Sequence, residues 1–127
     1  MKEAERLMAE IVAKYELQED GVLLIRLQAS EIAGRVASEL LKQVLVEMGK
    51  EEAVHCFLEM SEVSYIDSSG LGVIAELLRE VNGKRGQMVL INCDKGLSEI
   101  VEVMGFYRKI LKANSIENAR LLLTKQE

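Results

Sequence analysis

Apolar positions divide this chain into alternating segments of strand and helix length. Val12-Ala13-Lys14-Tyr15-Glu16-Leu17 and Val22-Leu23-Leu24-Ile25-Arg26-Leu27 flank Gln18-Glu19-Asp20-Gly21. An Asp-Gly pair between apolar runs is a hairpin signal, so two antiparallel strands are predicted. From Glu31 to Met48 the residues Ala33, Val36, Ala37, Leu40, Leu41, Val44 and Met48 recur at helical steps, which predicts an amphipathic helix stopped by Gly49. Ala53-Val54-His55-Cys56-Phe57-Leu58-Glu59-Met60 is then of strand length, followed by a turn at Ser61-Glu62 and by Val63-Ser64-Tyr65-Ile66.

A second helix is marked by Leu71, Ile74, Leu78 and Val81. Gly83-Lys84-Arg85-Gly86 separates it from Gln87-Met88-Val89-Leu90-Ile91-Asn92-Cys93, whose unbroken apolar centre predicts a central parallel strand covered on both faces. Leu97, Ile100, Val101 and Met104 give a short helix ending at Gly105. Tyr107 to Leu111 and a last helix carrying Ile116, Ala119 and Leu123 complete the pattern. Strand and helix alternating after a hairpin imply right-handed crossovers in one α/β sheet.

The boundary between Ile66 and Leu71 carries the candidate chemistry. Asp67-Ser68-Ser69-Gly70-Leu71-Gly72 sets a carboxylate and two hydroxyls where a strand passes into a helix. Asp67 and Ser68 are both preferred N-cap types, and one of them suffices to cap. Two glycines follow, each costing roughly 0.8–1 kcal/mol relative to alanine inside a helix, less in a first turn. The surplus hydroxyls and missing side chains point to a surface kept open for docking, where a phosphate would meet the positive end of the helix.

Asp-Ser-Ser-Gly-Leu-Gly-Val-Ile, preceded by Val-Ser-Tyr-Ile, resembles the signature of the STAS domain family, with the nearest likeness to bacterial anti-sigma factor antagonists. The resemblance runs from about Val12 to Leu123 and is tightest over Leu58 to Ile74. It implies a single STAS-like domain over residues 12–127: an N-terminal antiparallel hairpin joined to a mixed four- to five-stranded sheet, helices mainly on one face. It also implies that Ser68 is the phosphoacceptor, with Ser69 the lesser candidate. The kinase would be an anti-sigma factor that is itself a serine kinase, and the phosphate would be removed by a PP2C-type phosphatase. The unmodified form would hold the anti-sigma factor and release a sigma factor. Asp67, Ser68, Ser69, Gly70, Leu71, Gly72, Glu76 and Arg79 form the implied partner surface.

The resemblance also implies an alternative reading, a docking or regulatory subunit of a transporter or lipid-transport assembly in which this serine serves as an unphosphorylated contact. The chain departs from the family at Leu27-Gln28-Ala29-Ser30, where relatives usually carry a glycine. Ahead of the domain, residues 1–11 hold Ala4, Leu7, Met8 and Ile11, which continue to Val12 as a partial helical stripe. A short helix on the sheet edge is expected there, with contact to a partner or a second copy as the alternative.

Composition narrows the partners. Sixteen Lys and Arg against 21 Asp and Glu leave a net charge of -5, no basic footprint for nucleic acid. No apolar run approaches the roughly 20 residues of a membrane span, and the acidic start lacks the pattern of a signal peptide, so a cytoplasmic protein is expected. Cys56 and Cys93, both in predicted strands, read as reduced core thiols, and the single His55 as a half-exposed strand residue, with no metal or cofactor implied. An esterase-type elbow needs glycine two positions before the serine, where this chain has Ile66 or Asp67, and its histidine comes last in chain order, unlike His55. Gly70-Leu71-Gly72 lacks the lysine of a phosphate-binding loop. No enzyme is expected.

Overall fold

The computed structural model describes residues 12–103 and 110–126. Strands β1 (Ala13–Gln18) and β2 (Val22–Leu27) form the predicted hairpin, paired from Ala13 with Leu27 to Gln18 with Val22. The connecting turn, Glu19–Gly21, holds Asp20 at φ +64° and Gly21 at φ +72°. Two successive left-handed residues, the second a glycine, reverse the chain within this three-residue connection.

There follow β3 (Glu31–Ile32), α1 (Gly34–Lys50), β4 (His55–Glu59), β5 (Tyr65–Ile66), α2 (Ser68–Gly83), β6 (Met88–Ile91), α3 (Lys95–Val103), β7 (Ile110–Ala113) and α4 (Ile116–Gln126). The main sheet has the order β1-β2-β4-β6-β7, antiparallel at β1 and parallel elsewhere. A separate ladder pairs β3 with β5, Glu31 opposite Tyr65 and Ile32 opposite Ile66.

Strand alternation assigns the faces. Cys56, Leu58, Met88 and Leu90 look toward α1, α2 and α3, which contribute Leu40, Val44, Met48, Ile74, Leu77, Val81, Leu97 and Val101 to one large core. Phe57, Val89 and Ile91 look the other way, with Val22 and Leu24, under α4 and its Ala119. Each of these buried aliphatic side chains contributes about 1.5–3 kcal/mol of burial, so the three-helix face dominates the stability of the fold. The architecture is the expected one: one α/β domain, a terminal hairpin, helices mainly on one face.

Several boundaries differ from the sequence expectation. The first helix begins at Gly34, because Glu31 and Ile32 are spent on β3. It also runs through Gly49, and its stop is Glu52 at φ +54°. The Glu52 amide returns to the Gly49 carbonyl (3.3 Å) and that of Ala53 to Met48 (2.9 Å), a closure that needs one left-handed residue whatever its side chain. Likewise α2 includes Gly83 and closes at Arg85 (φ +59°), with Gly86 N–H bonded to the Val81 carbonyl at 2.7 Å. Cys93 lies just past β6 and is half-buried, not a strand residue. The expectations for residues 1–11, Met104, Gly105 and Tyr107 fall outside the described residues.

Candidate functional site at the N-terminus of α2

Asp67 has extended backbone angles (φ −96°, ψ −171°), and its Oδ1 accepts the Gly70 amide at 2.9 Å. Its carbonyl accepts the Leu71 amide at 3.0 Å. Asp67 is therefore the N-cap, and Ser68 the first helical residue. The second carboxylate oxygen reaches further: Oδ2 accepts the Gly34 amide at 3.2 Å. Gly34 opens α1, and the residue at that helix's own cap position, Ala33, makes no side-chain cap bond. One carboxylate thus serves the first turns of two helices, neither of which has an acidic residue of its own there.

The short ladder fixes this junction. Ser30 carbonyl accepts the amides of Ser64 (2.8 Å) and Tyr65 (3.2 Å) and the Ser64 hydroxyl (3.2 Å), while Ile32 carbonyl accepts the Asp67 amide at 3.4 Å. Gly70 packs against the same carbonyl. A Cβ there would lie 2.2 Å from Ile32 O and 2.6 Å from Ile66 Cγ2, so only glycine lets α2 approach β3 this closely. Gly70 is buried and its role is packing, whereas Gly72 is exposed with open space where a Cβ would stand.

Ser68 and Ser69 are both exposed at the first two helical positions, and Leu71 is half-buried against the core. One face of α2 therefore carries Ser68, Ser69 and Gly72 outward, while Val73, Ile74 and Leu77 hold the helix down. Further along, Glu76 and Arg79 pair at 3.0 Å and Glu80 and Lys84 at 3.7 Å. The solvated Glu76–Arg79 pair is worth roughly 0.3–0.5 kcal/mol and leaves its charges available to a second surface, whereas Lys84 also donates to the Ala53 carbonyl at 3.1 Å.

The other candidate groups are occupied in different ways. His55 Nδ1 accepts the Gln87 amide at 2.9 Å, which ties the start of β4 to the residue before β6. Burial pushes the Cys56 thiol up to about 12, far from a reactive thiolate. Burial also raises Cys93, against the opposing pull of Lys112. No group of three His, Cys, Asp or Glu among the described residues could hold a metal ion, and no helix among them is long and apolar enough to cross a membrane.

The sequence reading missed Gly34, Ile32 and Ser30 as parts of this site. Its one available signal was Gly34 itself, a poor interior helix residue inside the expected helix. It also missed a polar cluster on the α4 face: Glu59 accepts Ser61 N–H (3.1 Å), Ser61 Oγ–H (2.9 Å) and Asn92 Nδ2–H (2.8 Å). Burial opposes ionisation of Glu59, but these bonds and nearby Arg26 outweigh it and hold the carboxyl below its ordinary value.

A hairpin-led mixed sheet with an exposed serine following the shared cap of two helices defines a small α/β domain. Residues 16–119 match the model of the STAS domain, and the chain belongs to that family. The chain is 31% identical over 103 residues to BtrV of Bordetella bronchiseptica, a protein named as an anti-sigma factor antagonist, with 79% of this chain and 84% of that one covered. A crystal structure from Thermotoga maritima, described as an anti-sigma factor antagonist, superposes with a TM-score of 0.75 at 20% identity, covering 91% of this chain and 97% of that one. The Bacillus cell fate determinant SpoIIAA in its phosphorylated form gives a TM-score of 0.69 at 17% identity, covering 87% and 98%.

Proposed function

We propose that the chain is an anti-sigma factor antagonist switched by phosphorylation of Ser68. The observation that carries the reading is an exposed Ser68 hydroxyl at the first position of α2, directly after its Asp67 cap. The names of the relatives support it. In this reading the unmodified chain binds an anti-sigma factor that is a serine kinase and frees a sigma factor. The kinase's bound nucleoside triphosphate supplies the phosphate: Ser68 Oγ bonds to the γ-phosphorus, the bond to the diphosphate leaving oxygen breaks, and the hydroxyl proton passes to a base of the kinase. A PP2C-type phosphatase restores the serine by hydrolysis.

Ser68, Ser69, Gly72 and Arg79 present the contact, with Leu71 and Glu76 at its margin and Asp67 and Gly70 as its scaffold. A phosphoserine brings about two negative charges and three acceptor oxygens. Beside Asp67 and at the centre of the contact, that charge must be desolvated for the partner to bind, so association weakens.

The test is peptide mass spectrometry of protein from its native host, with recovery of co-purifying proteins by wild type, Ser68→Ala and Ser68→Asp. Phosphate on Ser68 and a kinase partner retained by Ser68→Ala but lost by Ser68→Asp are expected. An unmodified Ser68 with transporter subunits in the eluate would replace the proposal with the docking-subunit reading.

A further inference from the structure

Strand β1 is the antiparallel edge of the sheet, with no strand of the described residues on its outer side. An open edge with unpaired amides and carbonyls is a template for another strand. On the α4 face of β1, Lys14 and Glu16 are exposed, and neither joins an ion pair among the described residues. Glu16 accepts a hydrogen bond only from neutral Gln18 Nε2, at 3.2 Å, among the described residues. On the α1 face stand Ala13, Tyr15 and Leu17, the last 47% exposed. There a groove of about 680 Å³ runs between the edge and α1, lined by Ala13, Tyr15, Gln43 and Val46 together with the charged Lys14, Lys42 and Glu47, and Val46 is 65% exposed.

These residues have an order that reads the same from a second copy. When two β1 strands meet antiparallel about Tyr15, Lys14 lies opposite the partner's Glu16, and Glu16 opposite the partner's Lys14. On the other face Ala13 meets the partner's Leu17, which enters the mouth of the groove that Ala13 and Tyr15 line. Shifting the centre to Lys14 or Glu16 keeps the faces matched but sets like charges directly opposite, an arrangement that destabilises a strand pair. A half-step shift would pair inward with outward side chains.

We infer that β1 is a homodimer edge, two copies joining antiparallel about Tyr15 into one continuous sheet with reciprocal Lys14–Glu16 pairs. The contact is isologous, as two-fold symmetry requires, and closes without further growth. It draws on main-chain hydrogen bonds, two charge pairs and the covered Leu17, a modest interface of the strand-addition kind. It leaves the N-terminus of α2 free and does not depend on the function proposed above.

Light scattering on the full chain across a concentration series at low salt tests it, with Glu16→Lys, Lys14→Glu and the double exchange, each checked for unchanged circular dichroism. A dimer in wild type, at least tenfold weaker in each single variant and restored in the double exchange, is the expected result. Wild type remaining monomeric, or a dimer indifferent to the single variants, overturns the inference. Failure of the double exchange to restore association overturns the register.

Discussion

Asp67 Oδ2 accepts the backbone amide of Gly34 across a separation of 33 residues, so a single side chain joins the starts of α1 and α2. Its other oxygen holds Gly70 in its own helix. Loss of an N-cap costs about 0.5–2 kcal/mol, and here two caps go together. Asp67→Ala is therefore expected to destabilise the domain by roughly 2 kcal/mol in urea unfolding. The Gly34 amide should exchange with deuterium faster in the variant. A loss below about 0.5 kcal/mol would show that the Gly34 bond contributes nothing.

Gly70 and Gly72 separate packing from openness within a single turn. A methyl at position 70 would meet the Ile32 carbonyl at 2.2 Å, an atom of the backbone that cannot swing away. At position 72 it meets nothing within 4 Å. Gly70→Ala should cost about 1–3 kcal/mol, the range for overpacking. Gly72→Ala should be neutral or stabilise by up to about 1 kcal/mol through helix propensity. Thermal unfolding of the two variants side by side checks the sign of each.

Glu59 makes the stability acid-sensitive. Its folded-state carboxyl titrates below the ordinary value of 4.5, so it binds protons more weakly folded than unfolded. The stabilisation is therefore fully present above about 4.5 and is lost as the pH falls through the lower folded value. Because the group is largely solvated, its bonds are worth only about 0.5–1 kcal/mol after screening. Glu59→Gln should lose that amount at pH 7, and the gap to wild type should close as the pH is lowered below 4.5. A gap that is constant with pH would assign the effect to packing.

The strands and the helix faces were readable because burial on one or both sides writes a period into the residues: Val22 to Leu27 and Met88 to Ile91 are almost wholly buried, and Leu40, Val44 and Met48 share a helical stripe. The C-terminal ends of the helices are less legible, because glycine is the residue expected at a helix stop. At Glu52 and Arg85 the chain turns left-handed without it, the conformation being imposed by two returning amides. The β3–β5 ladder escaped notice because two residues carry no period, and its hold on α2 comes from long-range bonds at Ser30 and Ile32. The Asp67 cap was legible from residue type, but its second acceptor was not, since nothing local links positions 67 and 34.

Ser68→Glu distinguishes a switch that acts at a contact from one that acts by unfolding. Negative charge in the first turn of α2 meets free amides and the positive helix end, a gain of typically 0.3–1 kcal/mol at an exposed site. Against it stands repulsion from the Asp67 carboxylate, about 1 kcal/mol for charges 4 Å apart in water. The two nearly cancel, and Ser68 is exposed, so no core contact changes. The melting temperature of Ser68→Glu should lie within the shift that 1 kcal/mol produces, about 2–8 °C for a domain of this size. Raising the salt should move it little, because both opposing terms are screened together. If Ser68→Glu instead melts far lower, the added charge has broken the Asp67–Gly34 junction, and regulation at Ser68 would run through loss of the fold.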